Sequence, residues 1–331
     1  METEKTDRLV KSVRRGPFRT GVHAFLTGKT WQGIVRHKML YLLLLPAIVL
    51  ICIFCYAPMF GVIIAFQDYR LLEGVFGSEF IGFKMFYKIL FDPESASYLE
   101  FRNTIYISLI RICTNFPIIL IFTLLLREIH NRRARGFVQA VAYVPYFISW
   151  ISIGGMSYNL FAVDGGILNQ VLAAFGKEPI TWYSEEKYWW AILTISSLWK
   201  GMGWSTLIYM SSLGSIDEEL YDACVIDGGG RFRQMVTVTL PGIMNVIMLQ
   251  IILDVGGIMS DNYDQILAMV NGSQSLNNVT RVVGTLEYEA IIGGSQYSKA
   301  TAYSLLRGLI GMVLVLMANR VAKNSDNEGI L

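Results

Sequence analysis

Residues 215–242 read SIDEELYDACVIDGGGRFRQMVTVTLPG, with seven charges, between two long apolar runs. A polar insert of this size in an otherwise apolar chain needs a partner or a task. Its front half predicts a capped helix. Ser215 at the N-cap and Glu218 three residues on make a capping box. Asp217, Glu218 and Glu219 complement the positive end of the helix dipole. Leu220, Ala223, Cys224 and Asp227 then fall on one face at helical spacing. Gly228-Gly229-Gly230 ends the helix, because glycine takes positive φ at little cost. Arg231–Val238 predicts a second short helix. Leu240-Pro241 marks the start of the next apolar run, proline being tolerated in a first helical turn. The insert reads as a helix-turn-helix whose small residues Ala223, Cys224 and Gly228 permit close approach by another protein. The alternative is an amphipathic surface helix joining two spans.

The flanking runs set the class. The chain of 331 residues is 53% hydrophobic and 16% charged, with mean hydropathy +0.44. Soluble domains are nearer a quarter charged. About 20 apolar residues of helix cross a bilayer core of about 30 Å. Six runs meet that length: roughly Met39–Phe66, Thr104–Leu126, Phe137–Phe161, Tyr188–Ser212, Ile243–Ser260 and Ala300–Ala322. Asp254 and Gly256-Gly257 interrupt the fifth. Unpaired backbone groups are costly in lipid, so each run should be helical. The expectation is an all-α polytopic membrane protein with six transmembrane helices. A basic tail (1–38) precedes the membrane domain (39–322). The insert (215–242) joins helices four and five, and a short tail (323–331) comes last.

Basic residues orient the chain. The N-terminal tail holds Lys5, Arg8, Lys11, Arg14, Arg15, Arg19, Lys29, Arg36 and Lys38, and the second connection holds Arg127, Arg132, Arg133 and Arg135. The first external connection holds Arg70, Lys84 and Lys88 among more numerous acids. The next holds only Lys177 and Lys187 as cations. Positive-inside bias places both termini, the Arg127–Arg135 turn and the insert in the cytoplasm.

Several tempting features carry no chemistry. The first apolar run is too long for a signal peptide, sits behind a long tail and lacks a small-residue cleavage site. The tail reads as a topology determinant with an interfacial segment near Trp31–Lys38. Gly28-Lys29-Thr30 ends like a phosphate loop, but His23 stands where its first glycine is needed and no strand precedes it. No nucleotide site is visible, so ATP-driven work requires a separate ATPase. His23, His37 and His130 are scattered and form no metal or catalytic cluster. Cys52, Cys55 and Cys113 lie within apolar runs and read as small packing residues. Asn271-Gly272-Ser273 and Asn278-Val279-Thr280 match the glycosylation pattern, which means nothing in most bacterial proteins.

The insert resembles the cytoplasmic coupling loop of ABC-importer permeases: E-A-A, three residues, Gly, nine residues, Ile, one residue, Leu-Pro. Asp222, Ala223 and Cys224 take the first three places, Gly228 and Val238 the next two, and Leu240-Pro241 close the pattern. Asp for Glu, Cys for Ala and Val for Ile are the departures. The resemblance extends over residues 39–331. Tyr41-Leu-Leu-Leu-Leu-Pro-Ala, Tyr56-Ala-Pro-Met-Phe-Gly and Ala65-Phe-Gln-Asp-Tyr resemble the first helix of oligosaccharide permeases of the carbohydrate-uptake type. Ile81-Gly-Phe, Phe86 and Phe91-Asp-Pro resemble the family's stretch after that helix, and Gly165-Gly-Ile-Leu-Asn its external loop before helix four. Gln296-Tyr-Ser-Lys-Ala-Thr-Ala-Tyr and Ala318-Asn-Arg resemble the LplB-like, polysaccharide-permease subgroup.

The resemblance implies a type I importer permease fold and a transport subunit that performs no bond chemistry. It also implies partners. A homologous second permease completes the pore, and two ATPase subunits hold ATP and Mg2+ and grip the coupling loops. An extracellular or periplasmic binding protein delivers carbohydrate. Cofactors in this chain and nucleic acid have no place in the scheme; membrane lipid surrounds it. The ATPase-coupling residues are then Glu219, Asp222, Ala223, Cys224, Asp227, Gly228, Leu240 and Pro241. In related maltose-type permeases sugar contacts lie on the helices before and after the coupling loop. The matching candidates here are Trp199, Trp204, Asp261 and Asn262, with Asp254 and Tyr263 behind them. Intramembrane polar groups are functional candidates in their own right. Lys200, charged in mid-helix, pairs with Asp254 or binds an acidic sugar; the sequence does not choose. Trp182, Tyr183, Tyr188, Trp189 and Trp190 suit a sugar platform or, better, an interfacial aromatic belt.

The rival classes are an ion-coupled secondary transporter and a membrane-embedded enzyme. The first should show internal repeats and an ion site, the second clustered catalytic groups. Neither pattern is evident. The sequence names neither the glycan nor its length or linkage.

Overall fold

The computed structural model describes residues 37–92, 97–260, 263–293 and 296–324. The expectations placed on the basic tail, on Gly28–Thr30, on Asp261 and Asn262, and on the chain beyond 324 lie outside the described residues. The contacts divide the chain after Gly61.

The first unit contributes α1, Lys38–Ile51, which carries Pro46. The helical path runs on through Cys52–Tyr56 with π geometry and Ala57–Phe66 with 3-10 geometry. Lys38–Phe66 spans 29 residues, and its most apolar 18-residue stretch has mean hydropathy 2.7, as the first apolar run predicts.

The second unit begins within the 3-10 stretch Ala57–Phe66 and then forms a small antiparallel ladder, Gln67–Asp68 on Glu79–Phe80, registering Gln67 on Phe80. The Phe-Gln-Asp-Tyr stretch meets the C-terminal motif here: Tyr69 N donates to Ser298 Oγ at 2.9 Å. Helix α2, Lys84–Phe91, comes next and buries Phe86 and Ile89. Helix α3, Ser97–Arg127, has 31 residues, about 46 Å at the usual helical rise.

The third run departs from expectation. Helix α4, Arg132–Tyr143, starts on Asn131, whose side chain accepts from Arg133 N and Ala134 N. A short 3-10 stretch, Val144–Phe147, continues it, and Ile148 and Ser149 are extended. Ser149 then caps α5, Trp150–Phe161. The two parts meet at 95° instead of forming one straight span. Pro145 lacks an N–H, and Ser149 offers a cap that restarts the helix.

Helix α6, Ile167–Ala174, is short, and α7, Trp189–Leu213, is continuous over 25 residues. The polar insert forms α8, Glu218–Ile226, and α9, Arg231–Gln234. Helix α10, Met244–Gly256, meets the Arg231–Gly242 segment at 62°. The region after it is more helical than the sequence suggested. It holds α11, Tyr263–Val270, and α12, Val283–Ile292, before α13, Tyr297–Asn324.

Among the described residues three helices are long and apolar enough to cross a membrane, and five if each bent pair is one span. Helix α7 is not in that set. Its length is ample, but Ser, Thr, Gly and Lys200 dilute its hydropathy. Length and apolarity alone therefore stop short of the expected six.

Three apolar clusters hold the second unit together. One joins Ile107, Ile153, Trp189, Leu193 and Met269. Another joins Phe86, Val283, Leu286 and Tyr303. The third, beside the insert, joins Ile119, Tyr209, Leu213, Ile243 and Ile247. Two helix crossings need glycine. A Cβ on Gly154 would collide with the Ala268 carbonyl, and one on Gly203 with the Ala142 carbonyl. Small residues at crossings let backbones approach closely, the usual basis of helix association in lipid.

Candidate functional site

The insert folds as a helix-turn-helix, with one correction at its start. The N-cap of α8 is Asp217, whose Oδ1 accepts from Glu219 N at 3.0 Å. Ser215 instead donates its hydroxyl to Ser212 O at 2.7 Å. Gly214 and Ser215 still turn with the end of α7, through backbone bonds to Met210 and Ser212, so the chain is free to extend only afterwards.

The helix ends as expected. Gly228 has φ +75°, and Gly229 N donates to Cys224 O at 2.8 Å. The two glycines differ in task. A Cβ on Gly228 would meet nothing within 4 Å, whereas one on Gly229 would lie 2.7 Å from the Cys224 carbonyl oxygen. Helix α9 continues through Met235–Thr239 to Leu240–Gly242, so the second helical segment reaches past Val238 and includes Pro241.

Glu219, Asp222, Ala223, Asp227, Gly228 and Pro241 are exposed. Leu220, Ile226 and Phe232 are exposed beside them, Ile226 by 85%. This is an apolar surface edged with acids. Cys224 departs from the expected face. It is half-buried, with Sγ 3.8 Å from Thr237 Oγ1. Leu240 also turns inward, onto the cluster around Ile119 and Ile243.

The inner side of α8 rests on a residue that sequence reasoning missed. Arg127, the last residue of α3, donates from Nη1 to Tyr221 Oη at 2.6 Å and to Thr239 Oγ1 at 2.9 Å. Its guanidinium lies 4.2 Å from the centre of the Tyr221 ring. The available signal was an arginine at the end of an apolar run, which positive-inside bias explains without any contact. Beside it, Arg231 pairs with Glu128 at 3.8 Å.

A cavity of about 270 Å³ lies among α3, α7 and α10, lined by Arg111, Asn115, Ser197, Tyr209, Gln250 and Asp254, among others. Asp254 accepts from Gln250 Nε2 at 2.9 Å. Ser197, Gly201 and Ser205 line the cavity at four-residue spacing, one face of α7.

Lys200 and Trp204 share a different face of α7. Trp204 stacks on Tyr146, with centroids 4.9 Å apart and planes at 8°, and lies nearly parallel to Tyr143. Lys200 does not pair with Asp254. Its Nζ donates to the carbonyls of Tyr146, at 3.0 Å, and of Pro145 and Ile148. These carbonyls flank the break between α4 and α5. Trp199 is 40% exposed and, like Trp204, does not line the cavity. Tyr263 packs against the Ile107 cluster. The structure therefore brings Asp254 alone of the described sugar candidates into the cavity.

Within the aromatic group before α7, the three indole N–H groups all find partners inside the protein. Trp189 is fully buried and donates Nε1–H to Trp182 O at 2.8 Å. Trp190 donates to Val279 O, and Trp182 to Asn169 Oδ1. Asn169, from the Gly-Gly-Ile-Leu-Asn motif, also donates to the Ala162, Val163 and Ile180 carbonyls. That motif ties down the loop between α5 and α7. Among the described residues no group of three His, Cys, Asp or Glu is placed to hold a metal. Cys52, Cys55 and Cys113 are free and exposed, not packed.

Residues 103–327 match the family described as the binding-protein-dependent transport system inner membrane component. The Bacillus subtilis polygalacturonan/rhamnogalacturonan transport system permease protein YteP is 34% identical, over 90% of this chain and 91% of that protein. Protein LplB of the same organism is 35% identical, over 92% and 94%. A chain of a bacterial ABC transporter involved in the import of the acidic polysaccharide alginate is similar in structure. Its TM-score is 0.80 at 25% identity, covering 89% of this chain and 99% of that one. A bacterial alginate ABC transporter in complex with an alginate pentasaccharide-bound periplasmic protein gives 0.81 at 25% identity, covering 91% and 99%. The shared fold is that of an ABC-importer permease, and the family is a transport component rather than an enzyme. The chain belongs to the binding-protein-dependent transport system inner membrane component family.

Proposed function

We propose that this chain forms half of the translocation pore of an ATP-driven importer of oligosaccharides or polysaccharide fragments. A second, homologous permease forms the other half. Two ATPase subunits carry ATP and Mg2+ and dock on α8, and an extracellular or periplasmic binding protein presents the sugar. Both chain termini and the insert face the cytoplasm, in keeping with the basic residues of the tail and of the Arg127–Arg135 turn.

The observation that carries this reading is the exposed outer side of the insert. Leu220, Ala223, Ile226 and Phe232 present apolar surface on a capped helix, with acids at its edge and a glycine turn at its end. Such a surface on a polar connection has the character of a protein contact. ATP binding elsewhere displaces α8, and the connected helices shift to open the sugar path to one side and then the other.

The relatives support a saccharide as cargo, YteP being named for polygalacturonan and rhamnogalacturonan and the structural neighbours for alginate. The acidic polysaccharide named for the structural neighbours makes an acidic fragment the first to try. Purification of the chain with its partner subunits tests the reading. ATP hydrolysis should rise when a binding protein loaded with its saccharide is added. Hydrolysis that ignores every loaded binding protein would contradict it.

A further inference from the structure

The insert must not only dock a partner but also hold on to its own membrane helices. Resting on the importer reading above, we propose that Arg127 is the positioning residue that ties the coupling helix to α3 and carries its displacement to the cavity.

Three elements meet at Arg127. It ends α3, Tyr221 lies on the inner side of α8, and Thr239 lies on the continuation of α9 toward α10. One nitrogen, Nη1, reaches both hydroxyls, which are themselves 3.2 Å apart. Thr239 is 2% exposed, and Arg127 and Tyr221 are half-buried. The guanidinium also lies on the Tyr221 ring. Among the described residues Arg127 has no carboxylate partner. Its contacts are two hydroxyls and one aromatic face, a set that uses the planar, forked shape of guanidinium and that a lysine does not reproduce.

The same helix reaches the cavity. Ile119, Phe116, Asn115 and Arg111 of α3 line it. Ile119 is eight residues from Arg127 and Arg111 sixteen, about 12 and 24 Å along a helix. Ile119 also packs with Tyr209, Leu213 and Ile243, so α7 and the start of α10 move with it. A push on the outer surface of α8 thus has a bonded route, Tyr221 to Arg127 to α3, into the cavity wall. Such a route gains physical content only from measured coupling between its ends.

The test uses the assembled importer in proteoliposomes, with saccharide transported per ATP hydrolysed as the readout. Arg127→Met should leave the ATPase bound and hydrolysing while transport per ATP falls about tenfold, within the usual range of coupling between sites. Tyr221→Phe keeps the ring and removes one oxygen, and should lower the ratio less. The double variant should be no worse than Arg127→Met alone, because both break one path. A wild-type ratio in Arg127→Met, or additive losses in the double variant, would overturn the proposal. If Arg127→Met fails to insert, Tyr221→Phe decides: an unchanged ratio sinks the clamp. A wild-type complex without any ATPase would instead sink the importer reading itself, and the clamp with it.

Discussion

The ammonium of Lys200 lies 3.0 Å from the carbonyl oxygen of Tyr146 and 5.8 Å from the centre of the same residue's ring. One charge from the middle of α7 thereby closes the broken end of α4. Helix ends leave carbonyls without intrahelical partners and carry partial negative charge. In a membrane such groups need an internal partner. The same lysine face carries Trp204, so the break, the charge and the aromatic stack form one structure.

Lys200→Met should therefore act on stability before it acts on sugar choice. Each hydrogen bond lost from these carbonyls costs about 0.5–1.5 kcal/mol. The detergent-purified protein should melt earlier, and uptake of neutral and acidic sugars should fall together. Loss of acidic-sugar uptake alone, at unchanged melting, would mean that Lys200 is a ligand for the cargo.

Adjacent glycines in α5 give an internally controlled pair. Gly154→Val should sharply reduce folded protein in the membrane, since overpacking costs about 1–3 kcal/mol and here the obstacle is the Ala268 backbone. Gly155→Ala, where a Cβ meets nothing within 4 Å, should be nearly neutral. Size-exclusion profiles of the solubilised protein separate the two outcomes.

At the insert, Gly228→Val should weaken ATPase attachment or uncouple hydrolysis from transport while the chain still inserts. A branched residue in the left-handed region costs about 1–2 kcal/mol, and φ at Gly228 is +75°. Gly230→Ala has φ −75° and open space around its Cβ, so it should behave as wild type. Co-purification of the ATPase with each variant is the measurement. Normal attachment and coupling in Gly228→Val would remove the turn from the docking surface.

Alanine at Trp204, Asp261 or Asn262 should impair uptake and leave assembly intact. For Trp204 the stack on Tyr146 adds a stability cost of about 0.5–1.5 kcal/mol, so Trp204→Phe is the informative companion. Normal uptake in all three alanine variants would place the sugar path elsewhere, with Asp254 and the cavity it lines as the remaining candidate.

Orientation is tested by single cysteines in a background lacking Cys52, Cys55, Cys113 and Cys224. Gly176→Cys should react with an impermeant label on intact cells. Asp227→Cys, exposed on the insert, should react only after permeabilisation. The reverse pattern would invert the topology.

What the sequence made legible was what apolar length and glycine chemistry control. Runs such as Thr104–Leu126 and Ala300–Ala322 are helices because lipid leaves the backbone no other partner. Gly228 takes its turn because a glycine costs least there. The cap was misplaced because Ser215 and Asp217 both offer a capping oxygen, and the end of α7 decides between them. The break at Ile148-Ser149 hides inside an unbroken apolar run. The partners of Lys200 are backbone carbonyls, which leave no mark on the sequence. Trp189 reads as interfacial by position but is buried by its neighbours.

The most direct test of the account is uptake into proteoliposomes of known orientation. The chain is reconstituted with its sister permease, ATPase and binding protein, and saccharide entering the lumen is measured with ATP on the ATPase side. The account predicts accumulation that needs hydrolysable ATP and loaded binding protein and is indifferent to collapse of ion gradients. Accumulation driven by a proton or sodium gradient without ATP, by this chain alone, would contradict it.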